Sequence, residues 1–221
     1  MAGIQLTVDM SGINKAQAWL AQIQGQMPYA ASRALNDAAK KVADDLNKST
    51  LQYFDKGGPP TKFTQNAYRV SSRSSKTNLV AEVSPKPIQE RYLLPSIRGG
   101  VRPQRPSERR LGGIAEAYSP GLSARLNASG NMSKAAVVKA LKGGDPYFRL
   151  EEQRGKLRPG IYQRMGSGRM RRYKVNSILS FNSLPNIPRR WPIDRITRGS
   201  LNASWTPLIN RYLAEALRTA K

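Results

Sequence analysis

The chain has no cysteine and no histidine. Without thiols there is no disulfide staple and no thiolate nucleophile, and without imidazole the commonest general base and metal ligand is missing. Acids are scarce as well, with 14 Asp and Glu against 37 Lys and Arg. An enzyme would have to rest on paired carboxylates, a Ser–Lys arrangement or an oxygen-ligand metal site. The acids are scattered, and the one adjacent pair outside an expected helix is Glu151-Glu152. Asp44 and Asp45 adjoin on an expected helix and so point about 100° apart, which suits solvated helix charges better than the Mg²⁺ site of a nuclease. The expectation is a protein that is not an enzyme and uses no cofactor.

No segment reaches the roughly 18 consecutive apolar residues of a membrane span. The opening MAGIQLTVDM alternates apolar and polar residues instead of showing the basic head and greasy block of a signal peptide. The sequence therefore reads as a soluble protein made in a cytoplasm, without membrane contact. At 221 residues and 39% hydrophobic content the chain can bury a core, and a single domain over residues 1–221 is expected.

What the chain does have is positive charge, placed unevenly. The formal net charge is +23, and residues 85–200 hold 24 basic and seven acidic side chains. Between Glu152 and Asp194 stand ten Lys or Arg and no acid. Self-repulsion on this scale disfavours compactness, so such an excess points to an anionic partner: nucleic acid, a membrane surface or an acidic protein.

Periodicity supplies the elements. Ile4, Leu6, Val8 and Met10 alternate as in a strand. Ile13, Ala16, Leu20, Ile23 and Met27 form a helical stripe that starts after Ser11 and ends near Gly25, and a second helix is expected from Pro28 to Phe54, stopped by Gly57-Gly58-Pro59-Pro60. Its alanines, among them Ala30, Ala34 and Ala38, suit either close helix packing or simple helix propensity. Ala67–Ser72 and Asn78–Ser84 read as a hairpin, and Pro87–Leu94 as a short helix. Ser133 opens a helix through Leu141, and strands are expected near Tyr147–Glu151, Ile161–Arg164 and Tyr173–Phe181. Two further helices, Ile193–Ser204 and Pro207–Ala220, are expected on either side of Trp205-Thr206-Pro207. Trp191, Trp205 and Tyr212 suit packing better than base stacking. The fold class is α+β: a mixed or antiparallel sheet packed by the Pro28–Phe54 helix and the C-terminal helices.

Two basic excursions interrupt this pattern. The first, over about 98–132, carries Arg98, Arg102, Arg105, Arg109 and Arg110 between glycines and prolines and reads as an extended arm or long loop. The second, over about 164–174, runs from Arg164 through Gly166-Ser167-Gly168 to Arg169, Arg171, Arg172 and Lys174. It matches no phosphate-binding loop and reads as an electropositive hairpin tip. These ten side chains are the candidate contacts for nucleic acid or a partner.

After an N-terminal strand, four segments follow in an order that resembles a known family: MPYAASRALNDAAKKVADDL, RYLLPSIRGGVRP, PGLSARLNASGNMSKAAVVKAL and LNASWTPLINRYLAEAL. In this pattern the chain resembles minor tail proteins of tailed bacteriophages, of the tail-completion type often labelled protein Z. The resemblance covers most of the chain and implies a structural virion subunit at the head-proximal end of the tail. It implies a homo-oligomeric ring, a hexamer by analogy with the six-fold tail, that meets other neck and tail proteins and the terminal stretch of packaged DNA. In such a ring the basic fingers repeat around the axis and line a positive lumen that holds DNA without reading its sequence. The same loops could instead grip acidic neighbouring proteins. From another class stands a non-sequence-specific nucleic-acid-binding accessory protein, for which no RNP motif, zinc finger or zipper is present.

Overall fold

The computed structural model describes residues 11–54, 58–113, 115–165 and 174–219, with the side chains of 11–20, 22 and 23 excepted. The expected strand at Ile4–Met10 and the tip carrying Arg169, Arg171 and Arg172 lie outside these residues, as do the side chains of Ile13, Ala16, Leu20 and Ile23.

The protein is α+β. In chain order the elements are α1 (Ser11–Tyr53), α2 (Lys62–Gln65), β1 (Tyr68–Ser72), β2 (Glu82–Pro85), α3 (Pro87–Arg98), β3 (Gly100–Val101) and a 3₁₀ turn at Glu108–Leu111. There follow β4 (Ala117–Pro120), α4 (Lys134–Lys142), β5 (Tyr147–Leu150), β6 (Gly160–Met165), β7 (Lys174–Asn182), β8 (Asn186–Ile187) and α5 (Ile193–Thr219). The chain groups into two compact units. One comprises Met1–Lys48, Asn66–Lys86 and Ile193–Lys221, the other Ser49–Gln65 and Pro87–Pro192.

In the first unit, two pairs of expected helices are each one helix. Pro28 lies inside α1 and Pro207 inside α5. A proline removes one i→i−4 hydrogen bond and disfavours a helix interior, which is why Gly25 with Pro28, and Trp205 with Pro207, read as breaks. Packing of one helix on the other offsets this penalty: Ala30 and Ala34 of α1 meet Tyr212 and Ala216 of α5, with Trp205, Leu208, Ile209 and Leu213 around them. The small side chains therefore serve close approach. Polar pins fix the pair, as the Tyr212 hydroxyl donates to the Asp37 carboxylate and Arg33 Nη1 donates to Glu215 Oε1 at 2.8 Å.

The β1–β2 hairpin is antiparallel, with Tyr68 opposite Pro85 and Val70 opposite Val83. Its second strand starts later than Asn78, because Ser75 and Asn78 close a turn: the Ser75 N–H donates to the Asn78 carbonyl and the Asn78 N–H to Ser75 Oγ. Two asparagines clamp this segment to α1. Asn47 accepts from the Tyr68 N–H at 2.8 Å and donates to its carbonyl at 3.0 Å, and Asn36 does the same for Ser74. Asp44 is exposed, whereas Asp45 accepts from Lys41 at 2.9 Å and from Ser200 Oγ at 2.7 Å. Burial pushes the Asp45 carboxyl up, but these hydrogen bonds outweigh it and hold the group below its ordinary value.

The second unit is built on a four-stranded antiparallel sheet in the order β4-β7-β6-β5. Against it packs α4, capped as expected by Ser133, whose side chain accepts from the Ala136 N–H at 3.1 Å. Ala140, Ile161, Ile178 and Leu179 form the buried cluster. Trp191 is wholly buried, edge-on to Phe54 with centroids 5.0 Å apart, and its indole N–H donates to Ser49 Oγ. The expected short helix after Pro87 runs one turn further, to Arg98.

Candidate functional site

The stretch after Arg98 is not a free arm. Gly100 and Val101 pair with Ile187 and Asn186, and the Arg102 N–H donates to the Pro185 carbonyl at 3.1 Å. A buried ion pair then folds the chain back. Arg102 Nη2 donates to Glu108 Oε1 at 2.7 Å and Nη1 to Oε2 at 3.0 Å, while the same carboxylate accepts the Arg105 backbone N–H at 2.6 Å. Burial raises the Glu108 pKa, but the Arg102 guanidinium and the Arg105 amide more than compensate, so the group sits below its ordinary value and stays charged.

This arrangement sorts the predicted arginines. Arg102, expected as a contact residue, is 8% exposed and spends its guanidinium on Glu108 and on the Pro103 carbonyl; the fork-to-fork pair with a wholly buried acid gives it a structural role at the border of a groove beside β4. The 3₁₀ turn that Glu108 opens sends Leu111 inward and leaves Arg109 and Arg110 exposed, along with Arg98 and Arg105. Arg98 also closes α3, where a cation complements the helix C-terminus.

Arg164 and Lys174 lie at the far end of the β6–β7 pair, where Met165 stands opposite Lys174. Both are exposed. Arg164 approaches Asp145 at 3.9 Å with both side chains in solvent, a contact of little energetic weight, and lies 5.1 Å above the Phe148 ring. Among the described residues, no ion pair engages the side chains of Arg98, Arg105, Arg109, Arg110 or Lys174.

Three of the predicted cations converge. Arg102, Arg105 and Arg110 line a groove of about 770 Å³ together with Lys134, the first residue of α4. Its walls come from β4, from the 3₁₀ turn, from Met132, Val137 and Val138, and from the segment after β7; no Asp or Glu lines it. The Tyr118 hydroxyl donates to Ser107 Oγ at 2.8 Å across one end. Arg98, Arg109, Arg164 and Lys174 do not line it. Lys134 and the two valines were missed in the sequence, since nothing local places α4 beside a stretch almost thirty residues earlier. Glu108 did leave a signal, as the lone acid within SERR in an arginine-rich run.

The second unit contains 23 basic and seven acidic residues, a formal +16, and the first 14 and seven. Among the described residues, no group of three or more acids could hold a metal ion, and no helix is long and apolar enough to cross a membrane. The arrangement can bind anions by charge and forked hydrogen bonds. Compared with protein-family models, with curated proteins and with solved structures, the chain finds no match in any of the three.

Proposed function

We propose that this chain is a structural virion protein of the phage neck, a ring subunit that completes the tail and joins it to the head, with its basic surface turned toward DNA and neighbouring subunits. One observation carries the reading: a formal +16 is gathered in one compact unit, on which four exposed arginines of a single stretch have no ion-pair partner among the described residues. Self-repulsion on a surface of this kind is relieved when it meets an anion. The order of segments, which resembles that of tail-completion proteins, supports this choice of assembly.

In this reading cations around the ring hold the terminal DNA without sequence preference, each neutralised phosphate adding about −0.9 to the slope of log K against log salt. Arg109→Glu, Arg164→Glu and Lys174→Glu combined test it in particles and in solution. Joined particles should leak DNA, and the salt slope of binding to duplex DNA should fall by about 0.9 for each cation that contacts a phosphate. Unchanged DNA retention together with an unchanged slope contradicts a DNA-facing role for these residues. Failure of joining with normal DNA binding would place the same cations against acidic neighbouring proteins instead.

A further inference from the structure

The groove beside β4 is more than a patch of charge, because it runs along a strand that ends the sheet. β4 pairs on one side alone, with β7. The register sets Ser119 opposite Ser180 and Tyr118 opposite Phe181, and the Gly121 N–H donates to the Ile178 carbonyl at 2.8 Å. Antiparallel residues alternate between bonding toward the partner and pointing away. Ala117, Ser119 and Gly121 therefore face β7, while the N–H and C=O of Tyr118 and the C=O of Pro120 point to the unpaired side. One residue earlier, the Glu116 carbonyl is satisfied by Gln104 Nε2 at 3.0 Å. Ala117 through Pro120 all line the groove.

We propose that this groove binds an extended acidic segment of a partner protein, laid alongside β4 with its carboxylates on Arg105, Arg110 and Lys134 and its small apolar side chains on Met132, Val137 and Val138. Charge selects the class: four cations, of which Arg102 is already paired with Glu108, and no acid line the groove. The free strand edge selects an extended backbone, since added strands take their affinity from main-chain hydrogen bonds and their specificity from alternating side chains. The four residues of β4 match four or five ligand residues at about 3.3 Å each. Nucleic acid fits less well. Bases require exposed aromatic faces, and Tyr118, the single ring in the lining, is half-buried with its hydroxyl engaged by Ser107; the valines and methionine offer a phosphate nothing. The inference concerns the groove alone and stands whether or not the chain is a tail subunit.

The test uses the full chain and a fluorescein-labelled, end-blocked peptide of alternating Glu and Val, with a Lys/Val peptide and an oligothymidylate as comparators. Anisotropy titration should show binding of the Glu/Val peptide and none of the Lys/Val peptide, the oligothymidylate should fail to displace the bound peptide, and hydrogen exchange at the Tyr118 amide should slow in the complex. Arg105→Glu with Arg110→Glu should weaken binding roughly tenfold or more, and Lys134→Glu should weaken it severalfold. Arg195→Glu with Arg198→Glu removes as much charge from the exposed face of α5 in the other unit and should change affinity less than twofold. Circular dichroism identical to the parent shows that each variant is folded. No binding of the Glu/Val peptide, equal weakening by the α5 variant, or an oligothymidylate that displaces the peptide and binds tighter would each overturn the proposal.

Discussion

Glu108 stands wholly buried among arginines, and its two carboxylate oxygens accept from Arg102 and from the Arg105 amide. Removing one member of such a pair strands the other, so Glu108→Gln should cost roughly 3 kcal/mol in urea unfolding at neutral pH. The folded pKa of Glu108 is depressed, so the stability it contributes is present above the ordinary carboxylate pKa of about 4.3 and is lost as pH falls through the lower folded value. The gap between parent and variant should therefore close on acidification; a gap that is small at neutral pH, or that persists in acid, contradicts this account. At this scale the sequence reveals residue types and conceals their partners. Five arginines in a Pro/Gly-rich run were legible as a basic stretch, but Arg102 differs from Arg105 only through a carboxylate six residues on, reached by a turn that no local pattern announces. Arg105 and Arg110 were legible as cations, whereas their convergence with Lys134 depends on where α4 docks.

Between elements, the decisive contacts are side chain to backbone. Asn36 and Asn47 lie eleven residues apart on α1, three helical turns, and so share one face. Each makes two hydrogen bonds to the hairpin segment, at Ser74 and at Tyr68. Either Asn→Ala change should cost about 2 kcal/mol, at about 1 kcal/mol per net hydrogen bond, and should speed amide exchange across β1 more than across the β4–β7 sheet. Equal acceleration in both would mean that the clamp is not local. Asparagine is a poor interior helix residue, and two of them at a three-turn spacing were a readable hint of an attachment. Strand and helix types were largely legible because alternation and heptad-like spacing are local signals; β5, β6, β7 and the Ser133 cap follow them. Helix continuity was not. Pro28 and Pro207 carry a local penalty that distant packing, such as Ala34 against Tyr212, overrides.

At the scale of the whole molecule, charge is sorted along with fold: one unit carries most of the +23 and the other supplies a compact pair of helices with a hairpin clamped to one of them. That imbalance was legible from a count of residues, because net charge needs no three-dimensional knowledge. Which cations reach solvent was not, since it depends on Glu108, the 3₁₀ turn and the β6–β7 register. The central proposal made for this protein is that so unbalanced a surface is repeated around an axis and faces an anion. Electron microscopy of particles assembled with and without it tests that claim most directly. The account predicts a ring of this chain at the head-proximal end of the tail, and finished but unjoined tails in its absence. Normal joined particles without the protein, and no density for it in the virion, would contradict it and leave a nucleic-acid-binding accessory protein as the reading to pursue.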